Sequence, residues 1–156
     1  MKKILFVVLL CIVPTGAAFG QNKRVAITEI VDAQGNVNNG LKLVVRSSII
    51  AGINNIEGYE AYECVNISAM LKELDFQRTG MVSDEQIHNF GEIIGVSYIL
   101  MVEVAMLDTG NIIITAKIVN VETVQVENSV TKSSSTEALE LKETCNSLVM
   151  NVFCEL

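Results

Sequence analysis

Two spacings of apolar residues divide the chain. Leu41, Val44, Val45, Ile49, Ile53 and Ile56 recur every three or four residues, the period of a helix. Val124 to Thr131 instead alternates apolar and polar positions, the period of a strand half buried against a core. The same test along the chain predicts a first strand at Arg24 to Val31, rich in Val and Ile. A polar loop at Asp32 to Asn39 follows, with Gly35, Asn36, Asn38 and Asn39 as turn formers. Asn38 and Asn39 supply the cap that starts the first helix, and Gly58 marks its end. Tyr59 to Val65 makes a second strand, with Tyr59, Ala61 and Glu63 on one face and Glu60, Tyr62 and Cys64 on the other.

A second helix opens at Asn66 or Ser68 with Ile67, Met70, Leu71 and Leu74 on one stripe. A third opens at Ser83 with Gln86 completing a capping box, and Gly95 stops it. Three strands follow: Val96 to Leu107, then Ile112 to Val121 after the turn Asp108 to Asn111, then Val124 to Thr131. Their short connections predict an antiparallel meander. Ser134 and Glu137 fit another capping box, opening a last helix whose stripe is Ala138, Leu141, Cys145, Leu148, Val149 and Val152. The order is β-α-β-α-α-β-β-β-α, an α/β sandwich on a mixed five-stranded sheet. No repeat or linker interrupts it.

The N-terminus carries a different pattern. Met1, Lys2 and Lys3 precede an apolar run from Ile4 to Val13 and a small-residue stretch ending Ala17-Ala18-Phe19-Gly20, the layout of a cleaved secretory signal. Ten residues of helix rise only about 15 Å against a hydrocarbon core of about 30 Å, too short to span. The expected organisation is a signal at 1–20 and one exported domain at 21–156, in the periplasm or secreted, not inserted in a membrane. Leu9 and Leu10 before Cys11 argue against lipidation, which wants small residues there.

Removing Lys2 and Lys3 from the 11 basic residues leaves nine against 18 acidic ones, a net charge of about −9. Such a surface repels phosphate backbones and anionic headgroups, so nucleic acid is not an expected partner. Trp is absent and aromatic residues are few, so stacking platforms for bases or sugars lack material.

At this point the chain resembles a family. The run from Leu71 to Val104 (LKELDFQRTGMVSDEQIHNFGEIIGVSYILMVEV) and Ala116 to Thr123 (AKIVNVET) resemble bacterial envelope proteins related to CsgG, the LpoB activator of penicillin-binding proteins and FlgO. In that group a helix ends in "Q...G", a short helix carries "G..LG", the next strand reads "A.YIL.G.V" and a hairpin carries "ARIID..TG". Here Gln77 and Gly80, Gly91 with Ile94 and Gly95, and Tyr98-Ile99-Leu100 stand at those places. The likeness covers most of the mature chain and consists of structural phrases without a reactive group. Three departures stand out: Cys64 lies near where relatives often place an Arg, Val124 replaces the hairpin Gly, and the lipid anchor of many relatives is missing. The resemblance implies a non-enzymatic envelope protein that binds a protein partner, in cell-wall synthase regulation or in secretion or outer-membrane assembly.

Candidate chemistry is sparse. His88 is the single histidine, and nothing at metal-ligand spacing accompanies it, so no metal or cofactor is expected and no nucleophile-base pair can be assembled around it. Glu103 interrupts an otherwise apolar central strand and must reach water, a partner or a cation. Asn36, Asn38 and Asn39 in the 32–39 loop are polar contacts for a ligand or partner, without the closing acidic residue of a calcium loop. Glu103 and its neighbours define the competing expectation, a small-ligand or ion-binding domain. Three cysteines outlast the signal. Cys145 and Cys154 point to opposite sides of one helix, which leaves Cys64 with Cys145, or Cys64 with Cys154, as candidate disulfides beside three free thiols.

Overall fold

Asn38 opens the first helix as its spacing predicts. Its side-chain oxygen accepts the Leu41 N–H at 2.9 Å, satisfying one of the donors that a helix leaves unpaired at its start. In the computed structural model, which describes residues 22–32, 34–62, 93–108, 110–154 and 156, helix α1 runs Asn39–Asn54 and helix α2 runs Ala138–Phe153. Six strands accompany them: β1 Lys23–Ile27, β2 Val31–Asp32, β3 Tyr59–Tyr62, β4 Tyr98–Met106, β5 Asn111–Asn120 and β6 Val126–Ser135. The sheet order is β3-β1-β4-β5-β6, with the short β2 also pairing on β4. Strands β1 and β3, and β1 and β2 with β4, are parallel, whereas β4, β5 and β6 form the antiparallel meander. The mixed sheet and the α/β sandwich are as expected. The helices expected between Asn66 and Gly95 lie outside the described residues, apart from the helical pair Ile93 and Ile94. There Gly95 takes the left-handed φ of +65° that ends a helix.

Strand alternation sorts the apolar residues onto two faces. Toward the helices, Ile27, Leu100, Val102, Ile114, Ala116 and Ile118 meet Ile49 and Ile53 of α1 and Leu141, Cys145, Leu148 and Val152 of α2 in the main core. Each fully buried aliphatic side chain there contributes about 1.5–3 kcal/mol. Gly52 sets the distance between the helices: a Cβ at that position would lie 3.3 Å from the Cβ and both γ carbons of Val149. The other face carries a smaller cluster at one end, Ala26, Val96, Ile99, Val119 and Val121, with Tyr62, Ile94, Met101 and Val124 packed against it.

Three local expectations change. The strand expected at Arg24 to Val31 is broken after Ile27: Thr28 still donates its N–H to Leu100 O at 3.1 Å, but Arg46 of α1 reaches the Thr28 carbonyl at 3.1 Å and the chain rejoins the sheet only at Val31. The last strand starts later and ends later than its alternation suggests, running to Ser135. The Ser134/Glu137 capping box is accordingly not formed. Ser134 is buried in β6, opposite Ile112, and Glu137 occupies the cap without a side-chain bond. Ten residues of β5 offer a continuous ladder, and extending it outweighs the local preference of serines for a helix start. Glu140 instead accepts from Ser135, at 2.7 Å from the hydroxyl and 3.3 Å from the N–H, bracing the turn from strand to helix. The third change concerns Val124, which was expected to open the last strand and lies instead before it. It sits at φ +56°, a conformation that a β-branched residue rarely adopts.

Candidate functional site

The residues singled out in the sequence fall in separate places. Glu103 projects from β4 on the face opposite the helices and is exposed, between Val31 of β2 and Thr115 of β5. Its carboxylate therefore reaches solvent directly. The loop after β2 leaves from beside it, but its polar residues are occupied with holding the loop. The Asp32 carboxylate accepts from the N–H groups of Gln34, Gly35 and Val37 at 2.8–3.2 Å and lies 3.4 Å from the Lys42 ammonium. Burial of that carboxyl works against ionisation, yet the N–H groups of Val37 and Gly35 and the Lys42 side chain outweigh it and hold its pKa below the usual value. Asn36 donates to Gln34 Oε1 at 3.0 Å, Asn38 is the helix cap, and Asn39 is the exposed first residue of α1. Among the described residues no group of three or more His, Cys, Asp or Glu side chains is gathered as a metal site. His88 lies outside the described residues.

Cys145 is a free thiol in the main core, where burial pushes its pKa up to about 12. Cys154, just past α2, is free and exposed. Cys64 lies outside the described residues. Tyr62, two residues before it, is on the opposite side of the sheet from Cys145.

Two features emerge only from the folded arrangement. The first is the free edge of β6. Thr136 donates its N–H to Gly110 O at 2.9 Å, so from Asn128 to Ser135, beyond the register shift at Ile118/Val119, even-numbered residues of β6 turn their backbone groups toward β5 and odd-numbered ones turn theirs outward. The outward N–H groups of Ser129 and Ser135 are taken by Asn128 Oδ1 and Glu140 Oε1 at 2.7 and 3.3 Å. Between them, no described residue takes the backbone donors and acceptors of Thr131 and Ser133, at the end of the sheet path. Asn128 also anchors the strand to α2, donating to Asn151 O and Val152 O at 3.1 Å. The edge is thereby tied to a helix.

The second is a shallow depression of about 210 Å³ at the other side of the sheet, where the parallel strands begin, lined by Asn22, Lys23, Arg24, Gly95 and Ser97. Lys23 Nζ contacts Tyr98 Oη at 3.4 Å and lies 5.7 and 5.4 Å from the ring centres of Tyr59 and Tyr98. The Arg24 guanidinium sits 5.6 Å from the Tyr62 ring centre. The two cations thus lie on opposite faces of the sheet, Lys23 against Tyr59 and Tyr98 on the helix side and Arg24 against Tyr62 on the other. The signal available beforehand was faint: adjacent Lys and Arg at a strand start, and tyrosines at the starts of two others.

These features define a class: an α/β sandwich whose last strand, at the end of the sheet, is braced by a helix. No protein-family model matches the chain, and no curated protein matches it. Solved structures do. The hypothetical protein CT253 from Chlamydia trachomatis is similar with a TM-score of 0.62 at 11% identity, covering 86% of this chain and 98% of that one. The LpoB C-terminal domain from Salmonella enterica is similar with a TM-score of 0.51 at 12% identity, covering 75% of this chain and 85% of that one. TolB from Acinetobacter baumannii is similar with a TM-score of 0.55 at 11% identity, covering 85% of this chain, which spans 28% of TolB. At these identities the likeness is one of fold. No helix among the described residues is long and apolar enough to cross a membrane.

Proposed function

We propose that this chain is a non-enzymatic exported envelope protein that binds a protein partner, in the manner of the CsgG- and LpoB-related group, and that β6 is its docking edge. The fold it shares with an LpoB C-terminal domain and with part of TolB supports the envelope setting. The observation that carries the binding role is the free edge at Thr131 and Ser133. An extended segment of a partner adds there as a further strand, gaining main-chain hydrogen bonds without requiring any reactive side chain. The polar side chains of Ser129, Thr131 and Ser133 keep the edge from pairing indiscriminately, so side-chain fit selects the partner.

Crosslinking and pull-down from the native envelope test the proposal, comparing the wild-type chain with Ser133→Pro. The substituted N–H points away from β5, so proline at this edge position leaves the existing ladder intact while removing a docking donor. Recovery of one protein by the wild type and its loss with Ser133→Pro, at unchanged circular dichroism, is the expected result. Recovery of a co-purifying small molecule and no protein defeats it, as does a partner equally well held by the proline variant.

A further inference from the structure

We infer that the segment docking on β6 carries an acidic residue, aspartate or glutamate, opposite Lys132, between uncharged residues opposite Thr131 and Ser133. The inference rests on strand addition at β6 and specifies which strand that edge accepts. The ladder fixes the geometry. From Asn128 to Ser135 the odd-numbered residues turn their backbone groups outward. An antiparallel strand continuing the meander therefore bonds to Thr131 and Ser133 as hydrogen-bonded pairs and sets one residue between them, opposite Lys132. That residue and Lys132 form a non-hydrogen-bonded pair, in which facing side chains come closest, with Cα atoms about 4.5 Å apart. The even-numbered side chains of β6 lie on the helix side, where Val130 packs on the main core and Ser134 is buried. The facing side chain of the docked strand lies on that side too, next to α2.

Charge then selects the residue. The Lys132 ammonium donates to Ser147 Oγ of α2 and, with the Asn151 amide turned to satisfy both its neighbours, to the Asn151 side-chain oxygen at 3.2 Å. Both acceptors are neutral. Among the described residues no carboxylate pairs with Lys132, and Glu140 of the same helix is occupied with Ser135. A cation is thus held in place, without a counter-charge, between the two residues whose backbone groups are open. A carboxylate opposite it gains an ion pair at little ordering cost, whereas a lysine or arginine there meets like charge. On the other face Ser129, Thr131 and Ser133 are uncharged and exposed and ask only for a strand-forming neighbour.

The same lysine excludes a second copy of this chain as the occupant. In the one antiparallel self-pairing that engages Thr131 and Ser133 on both copies, each Thr131 faces the other copy's Ser133, and Lys132 faces Lys132 at the position of closest approach. The opposite end of the sheet path is filled by the chain itself. There Tyr59 gives its N–H to Ile56 O at 3.2 Å, and Ala61 gives its N–H to Asn54 Oδ1 at 2.8 Å. One strand from an acidic partner at β6 therefore completes the sheet on that side.

Amide NMR titration with end-blocked peptides Ser-Val-Thr-X-Thr-Val-Ser, where X is aspartate, asparagine or lysine, tests this on the wild type, Lys132→Glu and Ser133→Pro. Saturating shifts at Thr131 and Ser133 are expected. The wild type should bind the aspartate peptide about fivefold more tightly than the lysine peptide, and Lys132→Glu should reverse the order. Lys132→Gln, which keeps the reach of the side chain without its charge, should bind the peptides alike and separates charge from any effect of the reversal on folding. Peptides that the wild type binds alike but Ser133→Pro does not bind overturn the acidic residue and leave strand addition standing. Peptides that survive Ser133→Pro, or the absence of any saturable binding, overturn both. A wild-type dimer in sedimentation that Ser133→Pro dissolves assigns the edge to a second copy and also overturns the acidic partner.

Discussion

Replacing Gly52 by Ala sets two opposing effects against each other at the contact between α1 and α2. In a helix interior Ala is favoured over Gly by about 1 kcal/mol, so on an open surface the change stabilises. Here the added Cβ meets three carbons of Val149 at 3.3 Å, inside ordinary contact. One of those carbons is the Val149 Cβ itself, so no rotation about χ1 clears the overlap, and Val149 is 1% exposed with no room to retreat. Overpacking of this kind costs about 1–3 kcal/mol, and Gly52→Ala is expected to lower stability by about 0–2 kcal/mol. Val149→Ala removes the two γ carbons at a cost of about 1–3 kcal/mol of its own. In that background two of the three close contacts are gone and only the one to the residue 149 Cβ remains, so Gly52→Ala costs about 1 kcal/mol less than in the wild type. The coupling is read by urea denaturation followed by far-ultraviolet circular dichroism, where about 1 kcal/mol moves the midpoint by roughly 0.5 M. Gly52→Ala raising the midpoint equally in both backgrounds, with no coupling, refutes the close approach of the two helices.

At Val124, Asn tolerates the left-handed conformation and Ala does not, so Val124→Asn is expected to exceed Val124→Ala in denaturant stability by about 1 kcal/mol; equal midpoints contradict the strained hairpin. Asp32 has a native pKa depressed below 3.8, so its stabilising effect is present in full above the unfolded value and disappears as pH falls through the lower native one. Acid titrations of stability should show Asp32→Asn weaker than wild type at pH 7, with the gap closing below about pH 3.9, and a pH-independent gap rejects the role of its ionised form. Alkylation of the native protein at pH 8 followed by peptide mass mapping should label Cys154 and spare Cys145, whose thiol is buried and raised to about 12; rapid labelling of Cys145 contradicts its place in the core.

Much of the architecture was legible because it rests on periodicity. The α1 stripe, the Asn38 cap and the meander of β4 to β6 each follow from a spacing that only one element satisfies. The errors came where a local signal met a longer-range one. Ser134 and Glu137 spell a helix start, yet Ile112 and its neighbours draw those serines into the sheet. The break after Ile27 depends on Arg46, 18 positions past Thr28, reaching back to the Thr28 carbonyl, which no window around Thr28 displays. The candidate site was less legible than the fold for the same reason. Glu103 drew notice as a charge in an apolar strand, and proved to face water. The β6 edge is defined by having no further strand beside it among the described residues, and the depression by residues from two strands that meet only when folded. Neither leaves a mark in the local sequence.

The gathering of every tyrosine at one end of the sheet, in a chain without tryptophan, gives the protein a localised optical signature. Its intrinsic ultraviolet emission arises in that corner, from Tyr59 and Tyr98 on one face and Tyr62 on the other, far from the β6 edge. A quencher that changes this emission is reporting on the corner, whereas strand addition at the opposite edge passes in the dark.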